Sequence, residues 1–360
     1  MKGKNVLFLI GLVLALTLGA CAPTAAPVPT ASAATAAVIA PTDVEATAVG
    51  ATSVAPTTTA VESAATTAPT VSAAAEVPAA GGPVTVKDGD GQAFQLDRPA
   101  QRIISLAPSN TEILYAVGAG SQVIARDEFT NYPEEAKGLP SIGGSMGKYN
   151  LEEMTRLQPD LILASPITSA DVIKSIRDLS LPIFVLPNPT DLDSMYANLA
   201  TVGALTGRQT EAQALVNNLT ARVSAVEEKV KGVTEKPKVF YELDATDPAK
   251  PWTSGPGTFM DTLITMAGGQ NVGASLTGEY AQMSQEALIV ENPDVILLGD
   301  ALYGGITPEQ VAARSGWNVI KAVQNHQVLD FNDDLVSRPG PRLVDGLEAL
   351  AKVLHPELFQ

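Results

Sequence analysis

Near the end of the chain, "FNDDLVSRPGPR" (331–342) gathers two acids, two arginines, two prolines and a glycine. Such a cluster could transfer a proton, clamp an anion or orient a polar ligand. A second chemical candidate is "GGSMG" (143–147), which fits the G-x-S-x-G pattern of a serine nucleophile, with His326 and His355 downstream as candidate bases. That mechanism needs Ser145 on a strained turn between a strong strand and an immediately following helix. Here only "SI" precedes the glycines and the helix signal starts at Asn150, so a glycine-rich loop at the mouth of a lobe is the better reading. A serine hydrolase stays as a distant alternative. "GAGSQV" (118–123) follows a helical stretch rather than a strand, which makes its glycines a helix C-cap, not a dinucleotide fingerprint. Two histidines and one cysteine cannot build an imidazole or thiolate metal cluster, and only an oxygen-only site stays open.

Two acids stand apart. Glu152 and Glu286 each follow a candidate N-cap, Asn150 and Ser284, where the helix dipole favours a carboxylate for local reasons. Yet they occupy the same point of two matching segments, "NLEEMTRLQPDLIL" (150–163) and "SQEALIVENPDVIL" (284–297), each with Pro-Asp before an aliphatic run. Matched acids on one edge of a two-lobed molecule suit a symmetric basic partner. Aromatic and polar residues concentrate in predicted loops. Phe129, Tyr132, Met146, Tyr149, Trp252 and Tyr280 would line a largely apolar cleft, with Asn110, Asp334 and Arg338 orienting the ligand.

The elements that must position these residues alternate. "RIISLA" (102–107), "QVIA", "DLILAS" (160–165) and "LPIFVL" (181–186) read as strands, with helices over 111–117 and 171–179. "KVFYEL" (238–243), "DVILLG" (294–299) and "QVLDF" repeat the scheme, with helices over 258–267, 308–313 and 343–354. The alternation predicts α/β lobes with parallel sheets, whose ligands bind beyond the carboxyl ends of the strands. Between the lobes, Leu192, Met195, Leu199 and Val202, then Leu215, Leu219, Val223, Val226 and Val230, recur at steps of three and four, with Gly203 and Gly207 marking a weakness. A stiff helical connection is expected to let the lobes bend little.

The chain has 360 residues, a net charge of −16 and 17% charged residues. No Lys/Arg stripe exists to displace counterions from phosphates, which excludes a nucleic-acid partner and favours a small one. At the N-terminus, Lys2 and Lys4 precede an apolar run from Val6 to Leu18 and then Gly19-Ala20-Cys21, the form of an export signal. Cys21 stands where a bacterial lipoprotein is lipidated and becomes the mature N-terminus. From Ala22 to about Gly82 the composition falls to Ala, Thr, Pro, Val and Ser, which predicts an extended, disordered tether.

From about residue 84 onward, the segments "RIISLAPSNTEILYAVGAGSQVIA", "NYPEEAKGLPSIGG", "NLEEMTRLQPDLILA", "WTSGPGTFMDTLITMAGGQNV", "SQEALIVENPDVILLG" and "DDLVSRPGPRLVDGLEALA" resemble the substrate-binding proteins of ABC importers for cobalamin and ferric chelates. The resemblance implies an α/β fold of two Rossmann-like lobes with parallel central sheets, joined by a long rigid helix, with the ligand cleft between them. The expected boundaries are a lipoprotein signal peptide (1–20), a tether (21–82), an N-terminal lobe (83–189), an interlobe helix (190–233) and a C-terminal lobe (234–360). It implies that Glu152 and Glu286 dock onto arginines of a dimeric membrane permease. It also implies ligand contacts at Phe129, around Met146 and Tyr149, at Trp252 and Tyr280, and at Asp334 and Arg338. Two departures reshape the cleft: Met146 stands where a tryptophan is expected, and Tyr280 replaces a second one. The ligand class is cobalamin or a related corrinoid, with a ferric siderophore or haem as alternatives. The expectation is a non-enzymatic, monomeric, lipid-anchored receptor on the extracytoplasmic face of a membrane, with no resident cofactor or metal.

Overall fold

Leu161–Ala164 and Val295–Leu298 are four-residue aliphatic runs buried along their whole length, which only a sheet covered on both faces can accommodate. In the computed structural model, which describes residues 82–144 and 147–360, each run lies inside a four-stranded parallel sheet. The expected signal peptide, Cys21, nearly all of the tether, Ser145 and Met146 lie outside the described residues.

A hairpin of β1 (Val84–Lys87) and β2 (Ala93–Leu96) precedes the first lobe. The lobe then runs β3 (Ile103–Ser105), α1 (Pro108–Ala116), β4 (Val123–Ala125), α2 (Leu151–Leu157), β5 (Leu161–Ala164), α3 (Ala170–Asp178) and β6 (Ile183–Val185). Two helices follow, α4 (Leu192–Thr206) and α5 (Gln209–Val230). The second lobe comprises β7 (Lys238–Glu242), β8 (Trp252–Ser254), α6 (Phe259–Met266), β9 (Gln270–Asn271), β10 (Tyr280–Gln282), α7 (Gln285–Glu291), β11 (Val295–Leu298), α8 (Ala301–Gly304), α9 (Pro308–Ala312), α10 (Lys321–Gln324), β12 (Val328–Asp330) and α11 (Leu343–Leu354).

The sheets are ordered β4-β3-β5-β6 and β9-β7-β11-β12. Counting only the strands of each four-stranded sheet in chain order, both read second, first, third, fourth, so the two lobes share one winding. The paired "PD" dipeptides have a common cause. Gln158 and Asn292 end α2 and α7 in the left-handed region, at φ 47° and 50°, and a proline follows each. Asp160 then accepts the backbone N–H groups of Gln101 and Arg102, and Asp294 accepts that of Lys238, so each acid fastens the start of the lobe's first strand.

The helical connection expected over 190–233 is two helices rather than one. Gly207, at φ 71°, caps α4, and the chain folds back so that a Cβ on Gly203 would stand 2.5 Å from Ala212 Cβ. α4 belongs to the first lobe: Asn198 donates to Pro187 O, and Gln122 to Thr206 O. The bridge proper is α5, 22 residues or about 33 Å. Its far half grips the second lobe through Arg222, which donates to both Glu348 and Asp345.

Candidate functional site

In both sheets the helices run back against parallel strands, so the strands' carboxyl ends and the helices' N-termini share one rim. The loops leaving β4, β5, β7, β11 and β12 all emerge there. Asp127, buried after β4, accepts from the backbone of Phe129 at 2.8 Å and from the Thr130 hydroxyl at 2.5 Å. This short turn presents the Phe129 ring to solvent, 57% exposed. Burial pushes the Asp127 carboxyl up, while the Thr130 and Phe129 bonds pull it back.

In the second lobe, β8 and β10 pair antiparallel with Trp252 opposite Gln282 and Ser254 opposite Tyr280. Side chains two apart along a strand share a face, so Trp252 and Tyr280 stand diagonally on one face of the ribbon, both largely exposed. Leu302 and Tyr303, on the short α8 after β11, add two more exposed apolar groups.

The "FNDDLVSRPGPR" loop joins the lobes. Asn332 accepts from the Asp334 N–H at the head of a tight turn. Asp334 accepts from the Tyr303 hydroxyl at 2.9 Å and, across the lobe boundary, from the Asn131 amide at 3.0 Å. Arg338 donates to Asn131 Oδ1 at 2.7 Å and to Glu112 Oε1 at 2.9 Å, and its other amino group lies 2.8 Å from Asp334. Arg342 grips Glu112 with two parallel bonds of 2.8 and 2.6 Å and lies 4.2 Å over the Tyr132 ring. Glu112, side chain 1% exposed, is thus held by two guanidiniums from the opposite lobe.

Two expected orienting or lining residues sit elsewhere. Asn110 does not face the cleft: Pro108 opens α1 earlier than the sequence suggests, which puts Asn110 in the first turn with its amide donating to Leu163 O. Tyr132 turns away from the Phe129 side to pack on Arg342. There it lines a separate concavity of about 690 Å³ with Tyr115, Leu219, Arg222 and Pro341. Tyr149 is half-buried, its ring against the first lobe's core and its hydroxyl donating to Leu106 O at 3.2 Å. Sequence reasoning missed Glu112, Asn131 and Tyr303 as members of the network.

The hydrolase alternative loses its context. Gly143 and Gly144 take φ values of 86° and 131° inside a tight loop bridged to Tyr149, with no strand running into a helix. His326 is exposed at a turn before β12, and His355 is buried against Gly268 O in the second lobe. Among the described residues no group of His, Cys, Asp and Glu is arranged to hold a metal ion.

Glu152 and Glu286 are both exposed in the first turns of α2 and α7, whose caps are Asn150 and Ser284 as expected. Neither acid forms an ion pair among the described residues. Both therefore stand free on the rim, one per lobe.

Two like-wound lobes, a single bridging helix and an aromatic rim define a two-lobed solute receptor. The chain belongs to the periplasmic binding protein family, whose model matches residues 103–335. It is 34% identical to an uncharacterized ABC transporter substrate-binding lipoprotein of Bacillus subtilis (strain 168), over 77% of this chain and 87% of that protein. Its fold is similar to the crystal structure of the periplasmic vitamin B12 binding protein of Vibrio cholerae, with TM-score 0.61, 28% identity and coverage of 73% and 99% of the two chains. It is also similar to a periplasmic heme-binding protein from Roseiflexus sp. RS-1, with TM-score 0.65, 25% identity and coverage of 72% and 99%. The chain is accordingly a substrate-binding protein of the ABC-transporter type.

Proposed function

We propose that the chain captures cobalamin or a related corrinoid between its lobes and delivers it to an ABC permease. The observation that carries this is the set of exposed rings on both lobes' strand-end loops: Phe129 on one, Trp252, Tyr280 and Tyr303 on the other. A bulky, flat-faced chelate buries much ring surface at little conformational cost, because the rings are fixed by Asp127 and by the β8–β10 pairing before it arrives. Tyr149, Asp334 and Arg338 are proposed to border the pocket, and Met146, outside the described residues, to be a further ligand contact.

Ferric siderophores and haem form the second reading, favoured by the likeness to the Roseiflexus heme-binding protein. Against a tyrosinate iron ligand stand the cleft phenols themselves. Burial pushes the Tyr303 hydroxyl up and its bond to Asp334 adds to this, while burial and Glu279 push Tyr280 up. Both resist ionisation.

In this reading Cys21 carries a lipid, the segment after it spans the gap to the folded part, and a monomer docks through Glu152 and Glu286 onto basic residues of a dimeric permease. Titration with cyanocobalamin, cobinamide, haemin and ferric siderophores, read by tryptophan quenching, tests the ligand. Trp252 reports from the rim, while Trp317 is buried in the core and serves as an internal reference. Absence of corrinoid binding at about micromolar concentration would overturn the reading.

A further inference from the structure

We infer that Glu112 is a positioning residue for ligand selection: it neutralises the arginine pair beneath the cleft, so that the floor shows the ligand neutral dipoles instead of a cation. This rests on the proposed ligand site. Arg338 is the guanidinium closest to the cleft side of the interlobe network, since its partners Asn131 and Tyr303 belong to the two loops that carry exposed rings. An arginine in that place would ordinarily recruit anions, because its planar fork matches carboxylates. Here the fork is occupied by Glu112, Asn131 and Asp334, and its side chain is only 13% exposed.

Charge accounts for the rest. The cluster holds two guanidiniums, Arg338 and Arg342, and two carboxylates, Glu112 and Asp334. Without the Glu112 carboxylate, two guanidiniums would share one carboxylate. What faces outward is the Tyr303 ring, with its hydroxyl and the Asn131 amide tied into the network beneath it, so an uncharged ligand meets ring surface and neutral dipoles. A chelate bearing carboxylates or catecholates finds no unpaired cation there and loses its own hydration on entry. Glu112 touches no ligand in this account, because its side chain is 1% exposed. It acts through Arg338.

The test compares the full-length wild-type chain with Glu112→Gln and Glu112→Gln/Arg338→Met, using cyanocobalamin as the uncharged probe and haemin as the dicarboxylate, each at low and high salt. Glu112→Gln keeps the shape and leaves the cluster with a net positive charge. Haemin is expected to bind about tenfold or more tightly to it at low salt. The gain should shrink at high salt and vanish in the double variant. Cyanocobalamin affinity should stay within about threefold, because no charge on that ligand senses the change.

A merely structural role for Glu112 would weaken both ligands in parallel and without salt dependence, and that result overturns the proposal. If the wild-type chain binds no corrinoid, the ligand reading fails by itself. The masking is then read with the anionic dye 8-anilinonaphthalene-1-sulfonate, whose fluorescence should rise with Glu112→Gln and fall back with Arg338→Met. Equal dye binding by all three chains refutes the inference.

Discussion

Trp252 and Tyr280 lie diagonally across the two-stranded β8–β10 ribbon, on the same exposed face and at the strand-end rim of the second lobe. Thr253, between them in projection, is buried on the other face, and Ser254, opposite Tyr280, is buried beside the rings, so the ribbon is anchored while the two rings are left exposed. Aromatic groups held this way lose little freedom on binding.

Replacing Trp252 by Ala is expected to weaken corrinoid binding by roughly 1–3 kcal/mol, or about ten- to a hundredfold, with Tyr280→Ala at the lower end. Neither change should shift the thermal midpoint appreciably, because both rings are largely outside the core. Calorimetric titration beside a thermal melt checks both halves. A loss of stability matching the loss of affinity would mean that the ribbon, not the rings, was the target.

Reversing both rim acids, Glu152→Lys with Glu286→Lys, should leave ligand affinity and folding stability nearly unchanged and sharply reduce uptake. Each single reversal should have an intermediate effect, since the acids sit on separate lobes and neither has an ion-pair partner among the described residues to lose. Transport into vesicles bearing the permease is the measurement. Undiminished uptake by the double variant would remove the docking role.

Asp300 predicts a pH dependence. It is buried at the end of β11, where its carboxylate has no side-chain hydrogen-bond partner among the described residues and only weak approaches from the Asp300 and Ala245 backbone. Burial first, and then repulsion from Glu242, push its pKa up to about 6, with Arg314 moderating the shift from its ion pair with Glu242. The folded state therefore binds this proton more tightly than the unfolded chain. On this group's account stability rises as pH falls through about 6, the gain is complete near the ordinary value of 3.8, and above about 6 the full penalty applies. Asp300→Asn should raise stability at pH 7.5 by roughly 1–3 kcal/mol and remove that part of the pH profile. Urea denaturation of both chains at pH 5 and 7.5 decides it, and a variant less stable than the parent at pH 7.5 contradicts the assignment.

The crossing of α4 and α5 offers a paired test. Gly203→Ala forces its new methyl against Ala212 and should cost about 1–3 kcal/mol. Adding Ala212→Gly removes the side-chain clash and should recover part of that loss, less about 1 kcal/mol for the glycine it places inside α5, since Arg208 O also lies 3.1 Å from the new methyl. Additive destabilisation in the double variant would show that the two positions do not meet.

Much of the scaffold was legible because its strands are aliphatic runs bounded by Pro-Asp or charged residues, and α11 was expected over the same 343–354 that it occupies. The rim was less legible. β8 and β10 are three residues each and carry no alternation long enough to recognise. Tyr303 sits in a four-residue helix without periodicity. Glu112 fell inside the helix expected over 111–117 with nothing to single it out, and its meaning depends on an arginine 226 positions away, a pairing that only the folded arrangement creates. The burial of Asn110 was hidden for a related reason: Pro108 starts the helix at its first position, turning the amide toward β5.

The common winding of the lobes puts Glu152 and Glu286 at the same register of each half, although the rings of the cleft are not matched in that way. A partner built from two like subunits would accept the molecule in either of two orientations, which about doubles the fraction of encounters that succeed. The cargo, held by unlike walls, would then be presented to the entrance in two senses, so release cannot depend on which half of the partner meets which lobe.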